Sequence, residues 1–209
     1  YGIELDEYAC NTATLSLWLA EHQMNVKFRD AFGVQPDTLP LKPSGQIVCG
    51  NACRIDWDTV CPHTSEDEVY IMGNPPYLGS SLQNEVQKED MRIAVGDICN
   101  GYKKLDYIAT WFIKAACYSK ESASSYAFVT TNSITQGEQV ALLWPVIFQC
   151  GLEIKFAYSS FKWSNNAKYN AVVTVVIIGI GFKPRNRKLF GKNIREVDNI
   201  NPYLNAGPN

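Results

Sequence analysis

Residues 171–180 read AVVTVVIIGI, the longest apolar run in the chain. It is about half the ~20 residues a bilayer-spanning helix needs, which predicts a soluble chain with no membrane segment. Eight of its ten side chains are β-branched, a composition that favours extended backbone. A strand with no polar alternation must be covered on both faces, so it belongs inside a sheet. The segments before it switch between two periodicities. Residues 1–5 (YGIEL) read as a short strand, and Asp6 can cap a helix in which Ala9, Ala13, Leu17, Ala20 and Met24 recur at helical spacing. Residues 31–45 are rich in Pro and Gly and predict a loop. Residues 47–49 predict a strand or bridge, 50–57 a turn, and 68–72 a strand ended by Gly73-Asn74-Pro75-Pro76. Residues 80–100 are polar and helical in part. Leu105, Ile108, Ala109, Phe112 and Ala116 mark an amphipathic helix. Then come a strand at 126–131, a helix at 138–150 with Pro145 as a kink, and a half-buried strand at 152–158. The order β-α-β-β-α-β-α-β-β predicts an α/β fold. Its sheet is mostly parallel, with helices on both faces and an antiparallel hairpin at one edge.

Composition narrows the function classes. With 19 Lys and Arg against 21 Asp and Glu, the net charge of -2 excludes a chain that is basic throughout. A local stretch is basic, however. Lys183, Arg185, Arg187, Lys188, Lys192 and Arg195 precede the next acid, Glu196. Residues 183–209 therefore read as a basic linker or DNA-facing segment after a core at 1–182. The seven cysteines are odd in number and several sit in apolar patterns, which points to a reducing cytosol and away from disulfides. The spacing of Cys49, Cys53, Cys61 and His63 matches no strong zinc template, and no metal is expected. The chain opens directly on a strand and closes on NPYLNAGPN, so both ends read as cut from a longer protein.

The chemistry lies in Asn74-Pro75-Pro76-Tyr77, directly after a strand. In a doubly wound sheet ligands bind beyond the carboxyl ends of the strands. Two prolines have no N–H, so this loop offers carbonyl acceptors without competing donors. Asn74 adds an amide oxygen. Convergent acceptors suit an exocyclic amine. Such an amine on a nucleobase is a poor nucleophile, because its lone pair is spread into the ring. Hydrogen bonds to both its protons localise that pair and stabilise the positive charge that grows during alkylation. Tyr77 supplies a face on which a base can stack. The bland alternative is a simple turn, for which Asn-Pro-Pro is a common sequence.

Seven stretches carry a wider resemblance: YGIELDEYA, IVCGNACRIDW, VYIMGNPPYLG, LDYIATWFIKA, YAFVTTNSITQGEQV, FKWSNNAKYNAVVTVVIIGI and NINPYL. In these the chain resembles S-adenosylmethionine-dependent DNA amino-methyltransferases of the adenine-N6 kind. It looks most like the methyltransferase domain of large single-chain restriction–modification enzymes. The resemblance implies a Rossmann-like class I methyltransferase fold, a bacterial cytoplasmic setting, and double-stranded DNA as partner. It also implies fused or associated nuclease and target-recognition domains. Glu4 corresponds to the acid that binds the cofactor ribose. Asn51 stands where the family often has Asp against the cofactor adenine, with Ala52 or Cys53 as backbone partner. Leu105 and Asp106 begin the helix that borders the cofactor pocket, and Asn74 borders it too. Asn74, Pro75, Pro76 and Tyr77 take the catalytic place. Trp163, or alternatively Phe161, is expected in a loop over the cleft, stacking on the flipped base opposite Tyr77. The alternative for Trp163 is a packing role. Lys183, Arg185, Arg187 and Lys188 are expected on the DNA backbone.

One departure stands out. The family's Gly-rich F-x-G-x-G loop, which closes over the methionine end of the cofactor, is absent from these 209 residues. It is expected just upstream of Tyr1, and the isolated 209 residues are expected to be inactive. Other readings stay open at this stage: cytosine N4, RNA or protein glutamine as acceptor, or a catalytically inert DNA-binding fragment.

Overall fold

The computed structural model describes residues 1–34, 46–120, 124–163, 173–182 and 186–209. They fall into two compact units, Tyr1–Pro62 and His63–Asn209. No helix among the described residues is long and apolar enough to cross a membrane.

In the first unit β1 (Gly2–Glu4) and β2 (Ile47–Cys49) pair in parallel, with Glu4 opposite Cys49. Helix α1 (Glu7–Phe32) begins where the Asp6 carboxylate accepts from the Ala9 N–H at 2.9 Å. It outruns the pattern that ended at Met24 and stops at Gly33. There φ is +70°, and the amide returns to the Arg29 carbonyl. Glycine adopts that left-handed conformation without the steric penalty other residues carry. The predicted 50–57 turn leads into a single-turn helix, α2 (Trp57–Val60), capped by Asp56.

The second unit contains β3 (Tyr70–Gly73), α3 (Glu85–Val95), α4 (Ala109–Tyr118), β4 (Ser125–Thr131) and α5 (Gly137–Gln149). It continues with β5 (Leu152–Trp163), β6 (Val173–Phe182), β7 (Arg187–Phe190) and β8 (Ile194–Val197). One six-stranded sheet runs in the order β3-β4-β6-β5-β7-β8. The α/β class holds, but this sheet is mixed where a mostly parallel one was expected. The β3–β4 and β5–β7 pairs are parallel; β4–β6, β6–β5 and β7–β8 are antiparallel. The predicted hairpin of β5 and β6 exists, yet it lies inside the sheet and not at its edge. The cause is the apolar run. Val175, Val176, Ile178 and Ile180 are all buried, so both faces of β6 need cover and the strand takes an interior place between β4 and β5. Burying each such side chain contributes roughly 1.5–3 kcal/mol.

Two further expectations change. Residues 183–209 were expected as a linker, but β7 and β8 extend the sheet from β5. Strand β5 was expected to end near Tyr158, but it continues to Trp163 through two register shifts. Phe161 and Trp163 therefore lie on a strand and not in a loop, opposite Val175 and Val173.

Candidate active site

Strand β3 delivers Asn74 to the sheet edge that β4 also reaches, since the two run parallel with Gly73 opposite Phe128. Pro75 is buried and fixes the loop, while Asn74 and Pro76 are exposed and Tyr77 is half-buried. Among the described residues the Asn74 carboxamide and the Pro75 and Pro76 carbonyls have no hydrogen-bond partner. The loop thus presents acceptors outward, as its composition implies.

The back of that loop is held firmly. The Leu78 N–H donates to Asp106 Oδ1 at 2.9 Å. The Leu78 carbonyl accepts from the Tyr107 N–H at 2.9 Å and from Gln83 Nε2 at 3.1 Å. Gln83 Nε2 also donates to the Leu105 carbonyl at 3.0 Å. Asp106 is only 5% exposed. Its Oδ1 also accepts from the Ile108 N–H at 3.3 Å, and its Oδ2 from Ser133 Oγ at 3.0 Å. Ser133 in turn meets Thr131 Oγ1 at 2.7 Å. The Asp106 N–H donates to Gln139 Oε1 at 2.9 Å. One buried carboxylate therefore ties the Asn-Pro-Pro-Tyr loop, the start of α4 and the exit of β4 together. A carboxylate accepting several N–H and O–H groups can lie buried at tolerable cost. This hub was not identified in the sequence, although an Asp beside apolar Leu105 at a helix start was its signal. Leu105 itself is fully buried, and its carbonyl serves the hub.

In the first unit, Glu4 ends β1 and Asn51 follows β2 at the same carboxyl edge. Glu4 is exposed, its Oε1 accepting from the Leu5 N–H at 2.8 Å, and its carbonyl accepts from the Gly50 N–H at 2.8 Å. The second carboxylate oxygen can accept from a diol, so the residue fits a ribose. Asn51 Oδ1 accepts from the Cys53 N–H at 2.9 Å, and the Ala52 carbonyl accepts from Trp57 Nε1 at 3.0 Å. The Asn51 oxygen thus shapes its own turn at the carboxyl end of β2.

The remaining predicted residues are placed as follows. Trp163 is 39% exposed and Phe161 half-buried, their ring centroids 6.2 Å apart on one face of β5. Arg187 is held within the sheet by Glu153 and by the Asp198 carbonyl, with its side chain 14% exposed. Its guanidinium is thus engaged by one carboxylate and one backbone carbonyl of the same unit. Lys188 is exposed, with Glu196 at 4.0 Å. Lys183 and Arg185 lie outside the described residues.

The acceptor loop thus stands at the carboxyl end of a parallel strand, in an α/β sheet with an interior antiparallel strand. Residues 1–191 match the family described as "MmeI, DNA-methyltransferase domain", and the chain belongs to it. The whole chain aligns with DNA methyltransferase A of Bacillus subtilis (strain 168), 50% identical over 214 residues. It is also similar to the solved structure of the type IIL restriction-modification enzyme MmeI in complex with DNA, with TM-score 0.88 and 40% identity over the full chain. The chain spans 24% of the first relative and 29% of the second.

Proposed function

We propose that this domain transfers a methyl group from S-adenosylmethionine to the N6 amine of an adenine flipped out of duplex DNA. In this reading it serves a bacterial, cytoplasmic restriction–modification protein that also carries nuclease and target-recognition parts. The fold is then of the Rossmann-like class I methyltransferase type. The observation that carries the reading is the Asn74-Pro75-Pro76-Tyr77 loop, whose acceptors are unspent and whose base is clamped by Asp106. The names of the two relatives support DNA as substrate.

When bound, S-adenosylmethionine supplies an electrophilic methyl group on a sulfonium sulfur. Glu4 accepts from the ribose hydroxyls, and the Asn51–Ala52 turn borders the adenine. Asn74 Oδ1 and the Pro75 carbonyl accept the two amine protons. Bound there, the cofactor would give up its methyl group and leave as the thioether, and these two acceptors would stabilise the charge growing on the amine nitrogen. One amine proton then leaves to solvent. Tyr77 stacks on one face of the base, and Trp163 or Phe161 on the other. The exposure of Trp163 favours the stacking role over a packing one. Lys188, with Lys183 and Arg185, approaches the DNA backbone.

The test is a methylation reaction by the natural full-length protein, with the product nucleosides separated by chromatography. N6-methyladenine is expected. N4-methylcytosine as sole product, or methylation of RNA or protein alone, overturns the assignment. The 209 residues contain no F-x-G-x-G stretch, so on their own they are expected to bind the cofactor weakly and to be inactive.

A further inference from the structure

A cleft of about 350 Å³ opens in the second unit, separate from the Asn-Pro-Pro-Tyr loop. That volume lies within the ~300–1,000 Å³ range of small-ligand sites. Among the described residues no charged one lines it. Its polar lining comes from Asn132 just after β4, Thr135, Gln136, Ser159 and Ser160 on β5, and Asn205 near the C-terminal turn, with Tyr203 beside them. Thr135 Oγ1 donates to the Asn132 carbonyl at 2.7 Å, while the other five amide and hydroxyl side chains make no hydrogen bond among the described residues. Gln136, Ser159, Ser160 and Asn205 are exposed and Asn132 is half-buried, so these groups stand open to solvent or to a ligand and are not spent on the fold.

Two local features build the cleft. Tyr158 pairs with Ile177 and Phe161 with Val175, so Ser159 and Ser160 together face the single residue Val176. This is a β-bulge, a device that re-aims side chains beside functional sites. The opposite wall is a rigid turn. Asn201 Oδ1 accepts from the Tyr203 and Asn205 N–H groups, both at 3.1 Å. Ile200 bridges to Ala206, and Asn199 Nδ2 donates to the Gly207 carbonyl at 2.7 Å. Within this turn Leu204 has φ +58°, the only positive φ of a non-glycine residue among the described residues, and Leu204 lines the cleft. A branched side chain held there carries strain that the surrounding bonds sustain.

The lining selects the ligand class. Among the described lining residues no cation offers a phosphate its counter-charge. Asn and Gln present a donor and an acceptor side by side, the pattern that pairs with a base edge. Tyr203, 56% exposed, offers a stacking face. The position fits as well. Asn74 and Asn132 leave the same edge of the sheet, and the cleft lies over β6, two strands from β3. At ~4.8 Å per strand that is roughly 10 Å from β3, too far for the same base and near enough for its neighbour.

We infer that this cleft is a nucleobase subsite, reading the base next to the target on the same DNA strand through Asn132 and Asn205, with Tyr203 stacked on it. The inference rests on DNA being the substrate.

The test uses the natural full-length protein and duplexes carrying its site, with each base flanking the target replaced in turn by an abasic residue. For the parent, one flanking abasic residue is expected to weaken DNA binding roughly ten-fold, the scale of one base contact. The N132A/N205A double variant and Tyr203→Ala are each expected to weaken binding to intact DNA similarly, with cofactor affinity unchanged. In each, the abasic residue then costs nothing further. These side chains make no internal bonds, so the melting temperature should hold; Tyr203→Ala provides the same reading if the double variant is unstable. Parent-like DNA affinity in the variants, or an undiminished abasic penalty in them, overturns the subsite. A parent that binds DNA through the cleft yet methylates no adenine overturns the function reading and leaves the subsite standing.

Discussion

At the residue scale the chemistry rests on a few acceptors. Asn74 is exposed, unbonded and carried by a loop with no competing N–H groups at Pro75 and Pro76. If its oxygen holds the target amine, Asn74→Ala should lower the methylation rate constant by about 2.7–4 kcal/mol of transition-state stabilisation, the loss seen for one oxyanion-hole donor. DNA affinity should barely change. Single-turnover methylation with a parallel binding titration checks both, and near-parental turnover would remove Asn74 from the chemistry. Cys10 gives a pH prediction. Burial, with Cys49 alongside, pushes its thiol up to about 11 from an ordinary 9.0. A thiol raised in the folded state favours the fold fully below pH 9, and that contribution is lost as pH climbs through 11. Melting temperature should therefore fall across that window, and less steeply in Cys10→Ala. Equal slopes would show that Cys10 does not contribute.

At the element scale the loop works only because something fixes its far end. Asp106 does so, through Leu78 on one oxygen and Ser133 on the other. Asp106→Ala strands the Leu78 and Ile108 amides and should cost ~1–3 kcal/mol of stability, the penalty for unsatisfied buried groups. It should also slow methyl transfer with little change in DNA KM. Asp106→Asn keeps one carbonyl oxygen for Leu78, and its NH2 can donate to Ser133, so much of the rate should return. If alanine and asparagine variants are equally slow at temperatures where both are folded, positioning through Leu78 is not the reason. A second element, β6, tests the packing of the sheet. A Cβ on Gly179 would run into the Phe156 ring, which lies where a side chain would stand. Gly179→Ala should cost about 1–3 kcal/mol, the range for overpacking a core, read from denaturant melts.

How much of this could be read in the sequence follows from what is local. The apolar run of β6, the Asp6 cap and the strand-then-NPPY punctuation are local patterns, and each element began near its predicted start. Strand order is not local. Nothing in 152–180 says that β6 slips between β4 and β5, because that follows from which faces are left uncovered once all strands exist. Trp163 was placed in a loop because the alternation fades after Tyr158, where the bulge at Ser159 and Ser160 breaks the period. Arg187 read as free cation because its partner Glu153 is 34 residues away. The Asp106 hub was missed for the same reason, its partners being 28 residues before it and 27 after.

At the scale of the whole molecule, the proposed function assigns different tasks to the two units, and substitution can test that division. Glu4 and Asn51 lie at the carboxyl edge of β1 and β2 in the first unit; Asn74 lies at that of β3 and β4 in the second. Glu4 is the simpler to test, because Glu4→Gln keeps an oxygen for the Leu5 amide and so keeps the local turn. What it loses is the charge. A hydrogen bond to a charged group is worth ~1.5–3 kcal/mol, so S-adenosylmethionine affinity should fall by about ten-fold or more. The rate at saturating cofactor should stay near the parental value, since a ribose contact holds the ground state and the transition state alike. Asn74→Ala should show the opposite split, with cofactor affinity kept and rate lost. The double variant should show both defects at their single-variant sizes. Calorimetry for cofactor binding and single-turnover methylation for rate read the two separately. Unchanged cofactor affinity in Glu4→Gln would take the ribose off the first unit, and a rate loss in that variant at saturating cofactor would show that the tasks are not divided this way.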